Sequence, residues 1–217
     1  MGTLRILLAD DHTVVRQGLR RVLEEHADWR VVAEASDGRE AVRQADEHKP
    51  DIAILDIAMP LLNGIEATRQ IVRNGPTVRV LVLSMHADEA YITQVLHAGA
   101  AGYLLKDSAD VDLLQAVSAV AAGKSFFSPA IARLMLDDFV KRRSGEHGLV
   151  DRYESLSERE REVFQLVAEG KANKEIATLL GISPSTVETH RSRLMEKLDV
   201  HSAVDVALYA VRRGIIK

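Results

Sequence analysis

The sequence predicts a doubly wound α/β domain on a five-stranded parallel sheet, followed by a separate all-α domain of four helices. Three observations lead there. Five short apolar runs, at 4–9, 31–35, 52–55, 78–83 and 102–105, alternate with segments of helical period up to about Ala122. Most runs carry apolar residues at successive positions, as strands covered on both faces do. After Gly123 the alternation stops, and from Leu156 to Ile216 only helical periodicity remains. Five βα units in series require a parallel sheet with helices on both sides.

The first strand, Leu4-Arg5-Ile6-Leu7-Leu8-Ala9, runs straight into Asp10-Asp11. Val14-Val15, Leu19 and Val22-Leu23 then give the first helix its period, and Ile65 with Ile71-Val72 do so for the third. Between them the third strand ends at Asp56, before the turn Met59-Pro60-Leu61-Leu62-Asn63-Gly64. The segment 123–149 holds Ser128-Pro129, an apolar patch at 131–139, the basic run Lys141-Arg142-Arg143, and Ser144-Gly145. It reads as a partly helical linker whose patch packs back on the first domain and whose end is exposed. The predicted limits are therefore 3–122, 123–149 and 150–217. In the last domain Ser157, three residues before Glu160, makes a capping box, and that helix ends near Gly170. Asn173 to Leu180 forms the next helix, closed by Gly181. Ser183 caps and Pro184 opens a longer one, reaching about Leu198. A short helix, a glycine turn and a longer capped helix make a helix-turn-helix unit.

Composition narrows the class. No stretch approaches the ~18 apolar residues of a membrane span. The N-terminal run is too short and too quickly acidic for a secretory signal, so the expected compartment is the cytoplasm, with no membrane partner. Cysteine is absent, which excludes disulfides, thiolate metal sites and a Cys nucleophile. The net charge of −4 argues against a nucleic-acid partner only until it is located. From Asp151 onward eleven basic residues balance eleven acidic ones, so the whole deficit lies in the first part.

Placing the strands also places polar residues. Asp10 and Asp11 follow the first strand, Asp56 the third, Ser84 the fourth and Lys106 the fifth. All would meet at the carboxyl edge of the sheet, where open α/β folds bind ligands. Two carboxylates ~4 Å apart repel by roughly 4 kcal/mol at an effective dielectric of 20. Three would gather there only if a cation or a raised pKa relieved them, and magnesium fits, because it takes one or two carboxylates and leaves room for phosphate oxygens. Lys106 adds a compact positive charge and Ser84 a hydroxyl donor. Asp56, alone before its turn, is the exposed candidate for a nucleophile toward phosphorus.

These residues resemble a known family. Asp10-Asp11-His12, Leu55-Asp56-Ile57-Ala58-Met59-Pro60 with Asn63-Gly64, Ser84, and Gly102-Tyr103-Leu104-Leu105-Lys106 are similar to the receiver domain of bacterial two-component response regulators. The resemblance covers roughly the first 120 residues and implies a flavodoxin-like sheet of order 2-1-3-4-5. It further implies that Asp56 accepts a phosphoryl group from a sensor histidine kinase. Asp11, Asp56 and the Ala58 carbonyl would bind Mg²⁺, with Asp10 in support. Lys106 and Ser84 would hold the phosphoryl group, and Tyr103 would be the switching aromatic. Many receivers carry a cis proline after the lysine; here Asp107 follows, and a cis bond at a non-proline costs ~2.5–4 kcal/mol, so none is expected.

On the long C-terminal helix Val187, Leu194 and Leu198 share one face, with Glu188, Thr189 and Ser192 on the other. The N-terminal half of such a recognition helix reaches base edges. Ser185, Thr186, Arg193, Lys197 and Lys174 flank it and suit phosphates. Glu188 could accept from cytosine N4 and Thr189 could touch a thymine methyl. His190, on the inner side, is expected to pack. Leu156-Ser157-x-Arg159-Glu160, Gly170, Asn173-Lys174-Glu175-Ile176-Ala177, Ser183-x-x-Thr186-Val187-x-x-His190 and Lys197-Leu198 resemble the LuxR-type DNA-binding domain. Joined to a receiver, that defines the NarL/FixJ subfamily. The resemblance implies a homodimer on DNA through the last helix, about 203–213, with Val204, Leu208 and Val211 in contact.

The resulting expectation is a transcription regulator switched by phosphorylation, with promoter DNA as partner and RNA polymerase too if it activates. Its only chemistry would be Mg²⁺-dependent self-phosphorylation from phosphodonors and slow autodephosphorylation. Three alternatives stay open at this point. An aspartyl-phosphate phosphatase also uses acids and Mg²⁺, but places them as Asp-x-Asp on the first strand. A regulator gated by an acyl-lactone calls for an aromatic-lined pocket, and aromatics make up only 4% here. The third is a receiver acting by protein contact alone.

Overall fold

The computed structural model describes residues 2–85, 89–128, 131–133 and 152–216, without the side chains of 89, 90 and 108–111. The chain divides into two compact units, Met1–Gly145 and Glu146–Lys217.

In the first unit, strands β1 (Leu4–Ala9), β2 (Trp29–Ala35), β3 (Ile52–Asp56), β4 (Arg79–Ser84) and β5 (Gly102–Leu105) alternate with helices. Those helices are α1 (Thr13–Glu24), α2 (Gly38–His48), α3 (Gly64–Asn74), α4 (Glu89–His97) and α5 (Ala109–Ala121). All strand pairs are parallel, and the order is β2-β1-β3-β4-β5, closed by a sixth strand, β6 (Phe126–Phe127). Apolar residues at successive positions serve opposite faces. Leu7, Ala9, Ala53, Leu55, Val80 and Val82 pack with Ala41, Ala45, Ile65, Ile71 and Val95 of α2, α3 and α4. Ile6, Leu8, Ile52, Ile54, Leu81 and Leu83 pack with Leu23 of α1 and Leu113, Ala116, Val117 and Val120 of α5.

Two sequence expectations need correction. Among the described residues the sheet has six strands, because Phe126 and Phe127, read as linker, pair with Gly102 and Tyr103. Gly102 permits this approach: a Cβ there would stand 2.7 Å from the Phe126 carbonyl oxygen. Phe126 and Phe127 then add to opposite cores, but two residues are too few to show a strand period. In α1, Val14 is 83% and Val15 37% exposed, so Leu19, Val22 and Leu23 alone form its inner stripe. Ile131 is buried against the α2–α4 side, as the packing-back of the patch predicts; its residues 134–139 and the basic run lie outside the described residues. The peptide between Lys106 and Asp107 is trans.

The second unit holds α6 (Glu158–Ala168), α7 (Asn173–Leu180), α8 (Pro184–Leu198) and α9 (Ala203–Arg212). Ser157 and Glu160 form the expected capping box, and Ser183 accepts from the Thr186 amide at 3.1 Å with Pro184 at the first helical position. Phe164 centres the core, edge-on to Tyr153 and Tyr209 at 5.3 and 5.9 Å between ring centroids. Val187, Leu194 and Leu198 of α8 are buried with it, as their spacing predicts. Among the described residues no helix is long and apolar enough to cross a membrane.

Candidate functional site

In the first unit the carboxyl ends of β1, β3 and β5 bring an acidic cleft together. Lys106 Nζ lies 2.7 Å from Asp10 Oδ2 and 2.8 Å from Asp56 Oδ2. Asp10 and Asp56 are buried, Asp56 against the expectation that it stands exposed before its turn; Asp11 is half-buried, and one ligand atom from each, with one from His12, lies within 4.8 Å of the others. Burial pushes the Asp56 carboxyl above the usual carboxylate range; the charges of Asp10 and Asp11 push the same way, while Lys106 opposes them. Burial pulls the Lys106 ammonium down, but its bonds to Asp10 and Asp56 outweigh that and hold it above the ordinary lysine value. One ammonium against three carboxylates leaves the cleft short of positive charge. Its three carboxylates supply hard oxygen donors. That set fits a divalent cation such as Mg²⁺.

The backbone positions these groups. The His12 amide donates to Asp10 Oδ1 at 2.8 Å, and Arg16 Nη1 donates to the Asp10 carbonyl at 2.6 Å while its Nε meets Glu34 at 3.0 Å. Arg16 thus ties α1 to the end of β1, a role no sequence motif announces. After β3 the turn holds Leu61 at a φ of 65°, a conformation costing of order 1–2 kcal/mol for such a residue. It is secured by Asn63, whose side chain accepts from the Ile65 and Glu66 amides. Ala58 lies in this turn, half-exposed. Ser84 ends β4, buried, and Tyr103 lies wholly inside the sheet's α2–α4 core.

In the second unit Lys174, Ser185, Thr186, Glu188, Thr189, Ser192 and Arg193 are exposed together on α7 and α8. Ser183 Oγ lies 2.7 Å from the Ser185 hydroxyl and 2.8 Å from that of Thr186. Asn173 donates its amide to the Glu188 carboxylate and accepts from Arg191 Nη1 at 3.1 Å, a link the sequence reading missed. Lys197 is engaged elsewhere: its ammonium donates to Glu160 at 2.6 Å and to the Ser155 carbonyl at 3.1 Å, bracing α8 against α6. His190 is half-buried. On α9, Val204, Leu208 and Val211 are 67, 52 and 51% exposed at spacings of four and three, while Val206 and Ala210 face inward.

The Lys197 strut carries a prediction. Burial raises the Glu160 carboxyl, but Lys197 and Ser157 outweigh it and hold it below the ordinary glutamate range. A carboxylate depressed in the folded state stabilises above its unfolded pKa and loses that contribution as pH falls through the folded one. Glu160→Gln is therefore expected to lower the stability of this unit by about 2 kcal/mol at neutral pH. It should also flatten the loss of stability seen on acidification, measured by thermal unfolding across the acid range.

Comparison with known proteins decides the family. Residues 6–118 match the response regulator receiver domain, and residues 154–210 the LuxR family of bacterial regulatory proteins. The chain belongs to the NarL/FixJ-type two-component response regulators. It is 39% identical to the oxygen regulatory protein NreC of Staphylococcus haemolyticus, over 98% of this chain and 99% of that one. It is 41% identical to the transcriptional regulatory protein LiaR of Bacillus subtilis over the same shares. Among solved structures it is similar to the RcsB response regulator of Salmonella typhimurium, with a TM-score of 0.59 at 30% identity, covering 98% of this chain and 100% of that one. The family is one of transcription regulators rather than classical enzymes, so a receiver, and neither a phosphatase nor a lactone-gated pocket, occupies the N-terminal half.

Proposed function

We propose that Asp56 is the phosphoacceptor and that its modification licenses the second unit to bind promoter DNA as a homodimer. The observation carrying this is the cleft itself, with the buried Asp56 carboxylate 2.8 Å from Lys106 at the carboxyl edge of the sheet. An Asp56 oxygen attacks phosphorus of a phosphohistidine on a sensor histidine kinase. The phosphorus–nitrogen bond breaks, and the imidazole leaves with the electron pair and takes a proton. Asp11, Asp56 and the Ala58 carbonyl, with Asp10 in support, would hold Mg²⁺, which would supply charge neutralisation of the phosphoryl oxygens. Lys106 and Ser84 then hold the transferred group, which adds ~1.5–2 negative charges by analogy with other phospho-residues. Lys106 follows that charge away from Asp10, Ser84 draws in, and Tyr103 reorients beside them.

In the second unit Glu188, Thr189 and Ser192 face base edges in the major groove, while Lys174, Ser185, Thr186 and Arg193 contact phosphates. Lys197 is left out of this set because Glu160 engages it. Val204, Leu208 and Val211 form the dimer contact, whose exposed apolar stripe needs a partner surface. A complex of RcsB with DNA, 29% identical over 97% of this chain and 98% of that one at a TM-score of 0.59, supports the DNA reading. The receiver is taken as 3–122 with β6 appended, the linker as ending at 149 and the DNA-binding domain as 150–217. A cytoplasmic location goes with this function, as does RNA polymerase as a partner if the protein activates.

The test is binding to a duplex selected from random sequence, with and without acetyl phosphate and Mg²⁺. Affinity is expected to rise on phosphorylation; an affinity indifferent to the phosphodonor overturns the switch. Lys174→Ala and Arg193→Ala should each weaken binding across all sequences and reduce the slope of log affinity against log salt by about one. Glu188→Ala should instead relax preference at one base pair, a discrimination of about 1–3 kcal/mol.

A further inference from the structure

His12 stands at the N-cap of α1, where side chains that cap are short oxygen donors, and its ring makes no capping bond. It turns the other way. Nδ1 lies 2.7 Å from Asp11 Oδ1 and 3.4 Å from Asp10 Oδ1. The ring is 54% exposed, so the contact is not forced by packing. Two ligand atoms in adjacent positions around a cation, each at ~2.1 Å, stand about 3 Å apart. His12 Nδ1 and Asp11 Oδ1 are already within a few tenths of an ångström of that spacing. The whole group of Asp10, Asp11, His12 and Asp56 spans no more than 4.8 Å between ligand atoms, close to the ~4.2 Å diameter of an octahedral shell.

We propose that His12 is a further ligand of the divalent cation in this cleft and that it biases the site from magnesium toward manganese and cobalt. This rests on the reading of the cleft as a metal site. An imidazole nitrogen contributes little to magnesium, which prefers oxygen and keeps its waters. First-row transition cations accept imidazole readily, with affinity rising from manganese toward copper. Three carboxylates without the histidine form a hard oxygen set; with it the set becomes mixed.

The experiment loads the full chain with manganese(II) and records electron spin-echo modulation, which detects a directly bound nitrogen. The expected result is nitrogen coupling in the wild type that disappears in His12→Ala and in His12→Asn. Asp11→Ala, which removes the cleft's cation, should remove it too and separates this histidine from the others in the chain. Calorimetric titration should show manganese affinity falling about tenfold in His12→Ala, with magnesium affinity changed less than twofold. Manganese bound in the cleft without nitrogen coupling overturns the ligand assignment and leaves the metal site standing. Equal losses for both metals also overturn it, because His12 would then act only by orienting Asp11. Failure of the cleft to bind either metal sinks the metal site and the inference together.

Discussion

Asp56→Asn is expected to abolish phosphoryl incorporation from acetyl phosphate with Mg²⁺, and with it any response of DNA binding to the phosphodonor. The substitution keeps the shape of the side chain and an oxygen able to accept from Lys106, which also retains its 2.7 Å contact with Asp10. It removes one of three carboxylates from a cleft whose pairwise repulsion is roughly 4 kcal/mol at 4 Å and an effective dielectric of 20, so folding should not suffer. What it removes is the proposed nucleophile, because a neutral amide does not displace a phosphohistidine or acyl phosphate leaving group. A complete swing from 1% to 99% active needs ~5.5 kcal/mol of differential stabilisation. In the proposed switch the added charge beside Lys106 would contribute a part, and dimerisation through the α9 stripe the rest. In the variant neither arises on adding phosphodonor, and DNA affinity should stay at the basal level at every concentration of it. Labelling of Asp56→Asn at the wild-type rate, read by intact-mass spectrometry, would refute the assignment; the loss should be total rather than graded.

The acid cleft was legible because strand ends are written in apolar runs. Once five runs are placed, Asp10, Asp56, Ser84 and Lys106 fall at strand ends whatever the details of the helices. The helix-turn-helix was legible for a different reason: Ser157, Glu160, Ser183, Pro184 and Gly181 are local signals whose partners lie within four residues. Less was visible where an interaction is long in sequence and short in space. Arg16 reaching the Asp10 carbonyl and Asn173 bridging to Glu188 and Arg191 obey no periodicity. Lys197 lies on α8 where a phosphate contact was plausible, but its ammonium reaches back across 37 residues to Glu160, a distance no helical wheel encodes. Val14 and Val15 misled in the opposite sense, since valines at the start of a helix satisfy an apolar count without being covered. β6 escaped because its two residues are recruited by the bare backbone at Gly102 rather than by any preference of their own.

Gly64→Ala should have a large effect on the first unit, though a single methyl is added. The first residue of α3 sits directly on the end of β3, and a Cβ there would stand 2.0 Å from the Asp56 carbonyl oxygen and 2.8 Å from its carbonyl carbon. Backbone cannot rotate out of the way as a side-chain tip can, so strand and helix must separate by more than an ångström. The contacts that hold them are several: the Gly64 amide donates to the Ile57 carbonyl at 2.9 Å, Thr68 Oγ1 donates to the Gly64 carbonyl at 2.6 Å, and Asn63 caps the helix. Overpacking on this scale is expected to cost about 3 kcal/mol or more. Gly18→Ala is the internal control. That glycine lies within α1 with nothing within 4 Å of a Cβ, and alanine there should stabilise by about 0.5–1 kcal/mol. Hydrogen exchange resolved by peptide separates the cases: Gly64→Ala should lower protection across β3 and α3 and leave α8 at its wild-type level. Phosphoryl labelling should fall with it, because the displaced backbone is that of Asp56 itself. Wild-type exchange and wild-type labelling in Gly64→Ala would mean that α3 does not rest on β3 at this point, and that the Asp56 carboxylate is positioned by something other than the turn that follows it.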